Sequence, residues 1–259
     1  MTDDSVDRLD RFRAEADSRG LPAQDVEGWI RVALLPAVYL AEGGDGPLVA
    51  QVGGDPMLPR GVPEPSEPFV ASVDLAALPP GATGLPLPSD GRLLFFAGPE
   101  AGAAEGPVAD AVLYVPAGAP TSPRPLAHSW RKPYQERELR IHWHQLSAQM
   151  PESYALDTWG DFPDDEQFDR AEELGDAWSD LGGYRPPWTL QIGGHPVSPQ
   201  NDPVHDARDT GSGDWTLLAT WRCGDDVTEL DSGVAHWVIR RRDLEALRFD
   251  RVHRYVEMA

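Results

Sequence analysis

Gln51-Val52-Gly53-Gly54-Asp55-Pro56-Met57-Leu58-Pro59-Arg60 and Gln191-Ile192-Gly193-Gly194-His195-Pro196-Val197-Ser198-Pro199-Gln200 share the frame Gln-aliphatic-Gly-Gly-x-Pro-x-x-Pro. Every Gly and Pro in the frame fixes backbone geometry, so two copies predict two structurally related halves. The likeness continues downstream. The first copy is followed by a strand-like run from Phe69 and a Gly-led run from Gly91; the second is followed by runs from Trp215 and Gly233. The distance from the loop's first Gly to the Gly-led run is 38 residues in one copy (53 to 91) and 40 in the other (193 to 233). This spacing predicts two pseudo-repeated halves whose sub-sheets share one core.

A phosphate loop would lead into a helix and carry Lys or Arg. Here Pro-x-x-Pro and then a strand come next. Gly53, Gly54, Pro56 and Pro59, with Gly193, Gly194, Pro196 and Pro199, are therefore expected to be structural turn residues.

Working outward, residues 4–19 have helical apolar spacing and 29–34 have strand propensity. Further strands are expected at 38–40, 69–75, 91–96, 111–115, 215–221, 234–239 and 252–256. Residues 138–144 alternate, which sends Leu139, Ile141 and Trp143 to the core and Arg140, His142 and His144 outward. Phe168, Ala171, Leu174, Ala177, Trp178 and Leu181 place an acidic amphipathic helix over 164–180, ended by Gly182-Gly183. A helical turn is expected at 242–247. One domain over 1–259 is predicted: N-terminal helix and connection (1–28), first half (29–150), acidic helical insertion (151–180) and second half (181–259).

The 259 residues include 26 Pro, 25 Gly and nine Trp, a turn-rich composition suited to short elements. With 22 basic and 43 acidic residues the net charge is −21, which repels nucleic acid and anionic membranes. Arg240-Arg241-Arg242 comes nearest to a basic patch and reads as solvated arginines at a strand end. The acidic N-terminus has no apolar core of a signal peptide, and no run approaches 18 apolar residues. A lone Cys223 forms no intramolecular disulfide and is expected to be a small, near-buried residue. Together these predict a cytoplasmic protein. Lys132 stands alone among 21 arginines, the coding bias of a GC-rich bacterial genome.

Four pieces of the chain together resemble the YwqG-like family, a bacterial family of unknown function. They are Gly53 to Pro59; Phe69 to Leu75 with Leu85-Pro86 and Gly91 to Phe96; Gly193-Gly194-His195-Pro196 with Pro199-Gln200-Asn201-Asp202; and Leu217 to Trp221 with Gly233 to Ile239 and Asp243-Leu244. The chain departs from the family pattern at Val62-Pro63, where Trp-Pro is usual, and at Ser72, where Gln is usual. The resemblance implies a compact α+β fold with mixed, mostly antiparallel sheets and no established activity.

Function is expected where the copies differ. His195 stands for Asp55, and Gln200 for Arg60. His195, Gln200, Asp202 and Ser72 are the candidate binding residues. His195, Asp202, His205, Asp206 and Asp209 match no standard metal-ligand spacing and are ordinary turn formers, so neither metal nor cofactor is expected. His142 and His144 share a strand face with Arg140 and read as a solvated polar face. No Gly-x-Ser-x-Gly elbow is present, and Gly211-Ser212-Gly213 lacks its context. The leading expectation is a non-enzymatic module that binds a basic protein, for instance a toxin it neutralises, through an acidic, Trp-bearing surface. The alternative is a small-molecule binder or enzyme whose site, between the halves, is lined by His195, Gln200, Asp202 and Ser72. The sequence sets no oligomeric state.

Overall fold

Two helices lead the chain, α1 (Asp3–Ser18) and α2 (Ala23–Val32). The computed structural model describes residues 3–98, 106–126, 134–181, 187–198, 201–224, 227 and 233–257. Gly182, Gly183, Pro199 and Gln200 lie outside them. The strand expected at 29–34 is a correction: it is the end of α2, entered after Pro22. Val26, Trp29 and Ala33 fall at helical spacing and are buried, with the Trp29 ring 4.6 Å from Tyr154. Tertiary burial of one helical face overrides local β-propensity there.

The strands run in chain order as β1 (Leu34–Ala41), β2 (Leu48–Val52), β3 (Met57–Pro59), β4 (Phe69–Asp74), β5 (Arg92–Phe96), β6 (Val112–Val115), β7 (Thr121–Pro123) and β8 (Arg137–Ala148). Helices α3 (Pro151–Trp159) and α4 (Asp165–Asp180) come next. The second half contains β9 (Leu190–Gly193), α5 (Pro203–Asp209), β10 (Trp215–Arg222), β11 (Val234–Arg240), α6 (Arg241–Glu245) and β12 (His253–Glu257). The fold is α+β, as the sequence predicted. Ten strands form one sheet in the order β12-β11-β10-β9-β1-β8-β2-β4-β5-β6, and β3 pairs with β7. Every pairing among the described residues is antiparallel. No helix among them is long and apolar enough to cross a membrane.

The order has an internal symmetry. Strands β2-β4-β5-β6 run outward from the centre on one side, and β9-β10-β11-β12 on the other. Equivalent registers match: Gln51 faces Ser72 as Gln191 faces Thr220. The central strands are exchanged. Strand β1, which precedes β2 in sequence, pairs with β9, while β8, which precedes β9, pairs with β2.

The inner face of the sheet is apolar throughout and folds over on itself. Phe95 of β5 meets Trp237 of β11 with ring centroids 5.0 Å apart, and the Trp237 indole N–H donates to the Phe96 carbonyl at 3.2 Å. Tyr134 and Trp221 meet in the same cluster. Each fully buried Trp removes enough apolar surface to be worth roughly 4–6 kcal/mol of transfer free energy. A second core lies where β1 begins and β8 ends, and α1 to α4 pack there around Trp29, Trp178 and Phe12. Helix α4 starts at a capping box: Gln167 N–H donates to Asp164 Oδ1 at 2.9 Å and Asp164 N–H to Gln167 Oε1 at 2.9 Å.

One register break corrects the alternation expected at 138–144. Pairing jumps from Tyr39–Trp143 to Leu40–Ile141, which leaves His142 as an extra residue. Leu139 and Ile141 face the main core, but the bulge turns Trp143 to the opposite face. There it stacks on Tyr39, with centroids 5.0 Å apart.

The two Gly-Gly turns end β2 and β9. All four glycines are left-handed, with φ of 67° and 73° at Gly53 and Gly54 and 70° and 75° at Gly193 and Gly194. A Cβ on Gly53 would lie 2.3 Å from the Tyr134 carbonyl oxygen, and one on Gly193 2.5 Å from that of Thr83. Gly61 has φ 82° but nothing within 4 Å of its Cβ position. Gly53→Ala and Gly193→Ala should each lose about 2–5 kcal/mol in urea unfolding, strain and backbone clash together, against about 1–2 kcal/mol for Gly61→Ala. Equal losses at all three positions would show that the close approach carries no weight.

Candidate functional site

The outer face of the sheet is finished differently in the two halves. In the second half, Gln191, Thr220 and His236 lie side by side across β9, β10 and β11, and all three are fully buried. Helix α5 packs on this face through Val204 and Ala207 against Trp215, Leu217, Val238 and Tyr255. In the first half, Leu58 of the small β3–β7 sheet packs over Phe69, Leu94, Phe96 and Val115. Gln51 and Ser72 stay half-exposed.

The second Gly-Gly turn is braced by its own Gln. Gln191 Nε2 donates to the carbonyls of Gly193 and His195, both at 2.8 Å. His195 N–H donates to Ser147 Oγ at 3.1 Å, and that hydroxyl donates to the His195 carbonyl at 3.3 Å. In the first copy Gln51 Nε2 donates instead to Glu136 Oε1 at 3.1 Å. Asp202 caps α5, accepting from Val204 N–H at 2.9 Å and His205 N–H at 3.3 Å. Asp157 of α3 joins this region: it pairs with Arg208 of α5 and accepts from Gln149 Nε2 at 2.8 Å.

His195 and Asp202 are thus brought together, both buried, by the turn and the start of α5. Ser72 lies on β4, separated from β9 by β2, β8 and β1. Asp202, Asp206 and Asp209 surround α5, but among the described residues no three His, Cys, Asp or Glu side chains are grouped to hold a metal ion. Thr220 Oγ1 lies 2.9 Å from His236 Nδ1, sealed from solvent. His142 rests against the Trp143 ring, and His144 is exposed. Cys223 is half-buried against the main core.

Burial governs protonation here. It pushes His195 down to about 4, against the opposing fields of Asp202 and Asp157, and His236 down to about 3. At Asp157 burial raises the carboxyl, but the bonds from Arg208 and Gln149 outweigh it and hold it below the usual range. Tyr255 is pushed up to about 12 by burial and by Asp206 and Asp209.

The acidic region is the α3–α4 layer. Of the described Trp residues, Trp29, Trp178, Trp188, Trp215, Trp221 and Trp237 are buried, whereas Trp143 and Trp159, the latter at the end of α3, are half-buried. Indoles that fill cores and stack under arginines, as Trp188 does 4.2 Å beneath Arg222, are not free for a partner. The exposed ring is Phe162, 95% accessible in the α3–α4 loop between Asp161 and Asp164. Neither composition nor periodicity marks it. On α4, Asp165, Asp169, Glu172, Glu173 and Asp176 are exposed and make no ion pair among the described residues. The helix has no basic residue in its last turn, and Arg170 is engaged with Asp25.

Matched registers, paired Gly-Gly turns and exchanged central strands define an internally duplicated antiparallel α+β protein. The chain belongs to the family described as a domain of unknown function, DUF1963, whose sequence profile matches residues 50–257, from β2 to the end of β12. This is the YwqG-like family that the Gly-Gly segments resemble. No curated protein matches the chain.

Since the fold buries His195 as the neutral imidazole, its contribution is fully present above the unfolded value of 6.5 and is lost as pH falls toward about 4. That loss is on the order of 3 kcal/mol. In urea titrations between pH 7 and pH 4.5, His195→Asn should be less stable than wild type at pH 7 and show a shallower fall, by up to one proton. An unchanged slope would contradict the burial of a neutral His195.

Proposed function

We propose that the protein is a binding module for a basic protein partner, which docks on the acidic face of α4 and on Phe162. The observation that carries this reading is an uncompensated cost. Asp169 and Glu173, and Glu172 and Asp176, are like charges one turn apart on α4, and the carboxylates nearest its C-terminus oppose the helix dipole. Together these cost the isolated helix about 1 kcal/mol. A stripe of Lys and Arg on a partner relieves that repulsion, and Phe162 supplies an apolar anchor in the middle of the charge. Neutralisation of a basic toxin is one form such binding takes. The surplus of 43 acidic over 22 basic residues favours capture of a cation-rich surface at low salt and weakens as the Debye length shortens.

Replacing the repulsive pairs separates a functional from a structural role. Glu172→Gln/Asp176→Asn should raise Tm by about 1–4 °C, because repulsion is relieved. The same variant, and Phe162→Ala with unchanged Tm, should each lose most of a stoichiometric basic protein that wild type retains in 50 mM salt from a lysate of its native host. Retention of that partner by both variants, or recovery of none by wild type, would reject the reading.

A further inference from the structure

The first half leaves one recess unroofed. Where the second half buries Gln191 and Thr220 completely, the matching Gln51 and Ser72 form the floor of an open recess of about 160 Å³. This is the size of an amino acid rather than of a cofactor. Arg92 and Asp74 stand at one end, directly opposite each other on β5 and β4. Glu138 stands at the other end on β8, opposite Gln51. Leu48, 43% exposed, adds an apolar wall. Arg92 and Glu138 make no ion pair among the described residues, and Asp74, which lines the recess, accepts at one carboxylate oxygen from Ala76 N–H at 3.1 Å.

The polar groups are therefore ordered: a guanidinium and a carboxylate together, two neutral hydrogen-bonding side chains, then a second carboxylate. Strands β5 and β8 lie three strand spacings apart, about 14 Å between backbones. Arg92 and Glu138, on the two outer strands of this set, both line the recess.

We propose that this recess binds a free basic amino acid, arginine or lysine. Such a ligand carries three ionised groups in the same order. Its carboxylate suits the Arg92 fork, its α-ammonium the Asp74 carboxylate, and its side-chain cation Glu138. Ser72 and Gln51 offer hydrogen bonds along its length, and its methylene stem packs on Leu48. The recess has one positive and two negative groups, so its net −1 is complemented by the ligand's net +1. A neutral amino acid leaves Glu138 unpaired, and a decarboxylated amine leaves Arg92 unpaired. Ser72 in place of a longer side chain keeps the floor open. This inference is independent of the acidic face of α4.

Calorimetric titration of the full chain with L-arginine and with L-lysine tests it, with agmatine (no carboxylate) and L-norleucine (no side-chain cation) as matched probes. Saturable 1:1 binding of at least one basic amino acid is expected with a Kd of about 1 mM or tighter. Agmatine and norleucine should bind at least tenfold more weakly. Arg92→Ala and Glu138→Gln, both at exposed positions, should each weaken the binding at least tenfold at unchanged Tm. Absence of saturable heat with either amino acid overturns the proposal. So does binding that both variants retain in full, or that norleucine and agmatine match.

Discussion

The pairing of β1 with β8 is the constraint on which the rest of this molecule depends. These strands are the middle of the ten; β1 precedes β2 and β8 precedes β9 in the chain, yet the second edge of β1 pairs with β9 and that of β8 with β2. Each copy of the repeat depends on the strand that leads the other, because β2 and β9, four or five residues each, pair with β8 and β1. Folding the sheet over this centre brings Phe95 onto Trp237, which occupy corresponding positions in the two halves. One hydrophobic core results, where two smaller ones would each have been marginal.

The Gly-Gly turns serve that centre. Each ends a strand that flanks the central pair, at a point where another segment's carbonyl comes within the space a side chain would occupy. The turns are alike, but the segments after them differ. In the second copy, His195, Asp202 and α5 close the outer face over a buried polar row; in the first, β3 closes only the apolar part. Duplication thus yields a constant interior and two different exteriors.

Most of the architecture was legible in the chain, because it rests on period and punctuation. The strands at 69–75, 91–96, 215–221 and 234–239 track their apolar runs, and α4 tracks its 3.6-residue spacing. Three features were not legible. Trp29 reads as strand until Tyr154 is there to receive it. Trp143 obeys alternation until the bulge at His142 reverses it, and no residue type announces a bulge at that point. Strands β2 and β9 hide inside the repeated frame because they are short and end in glycine. For the sites, the sequence singled out His195 and Asp202, which the fold places together in a buried setting. It paired them with Ser72, which long-range strand order puts on the other half. Phe162 carries no local signal, since exposure is a property of what fails to pack against a residue.

The exchange of β1 and β8 also determines when the molecule can come together. Strand β1 is made early, yet both strands that flank it, β8 and β9, are made only after residues 137–193 have been synthesised. At about 5–20 residues per second, β1 spends on the order of ten seconds with both edges unpaired. During that interval a hydrophobic strand is available to any other open edge, including the β1 or β9 of a neighbouring nascent chain. The topology that joins the two halves in the finished protein is thus an invitation to intermolecular exchange while it is being made. Crowded polysomes are where its cost would be met.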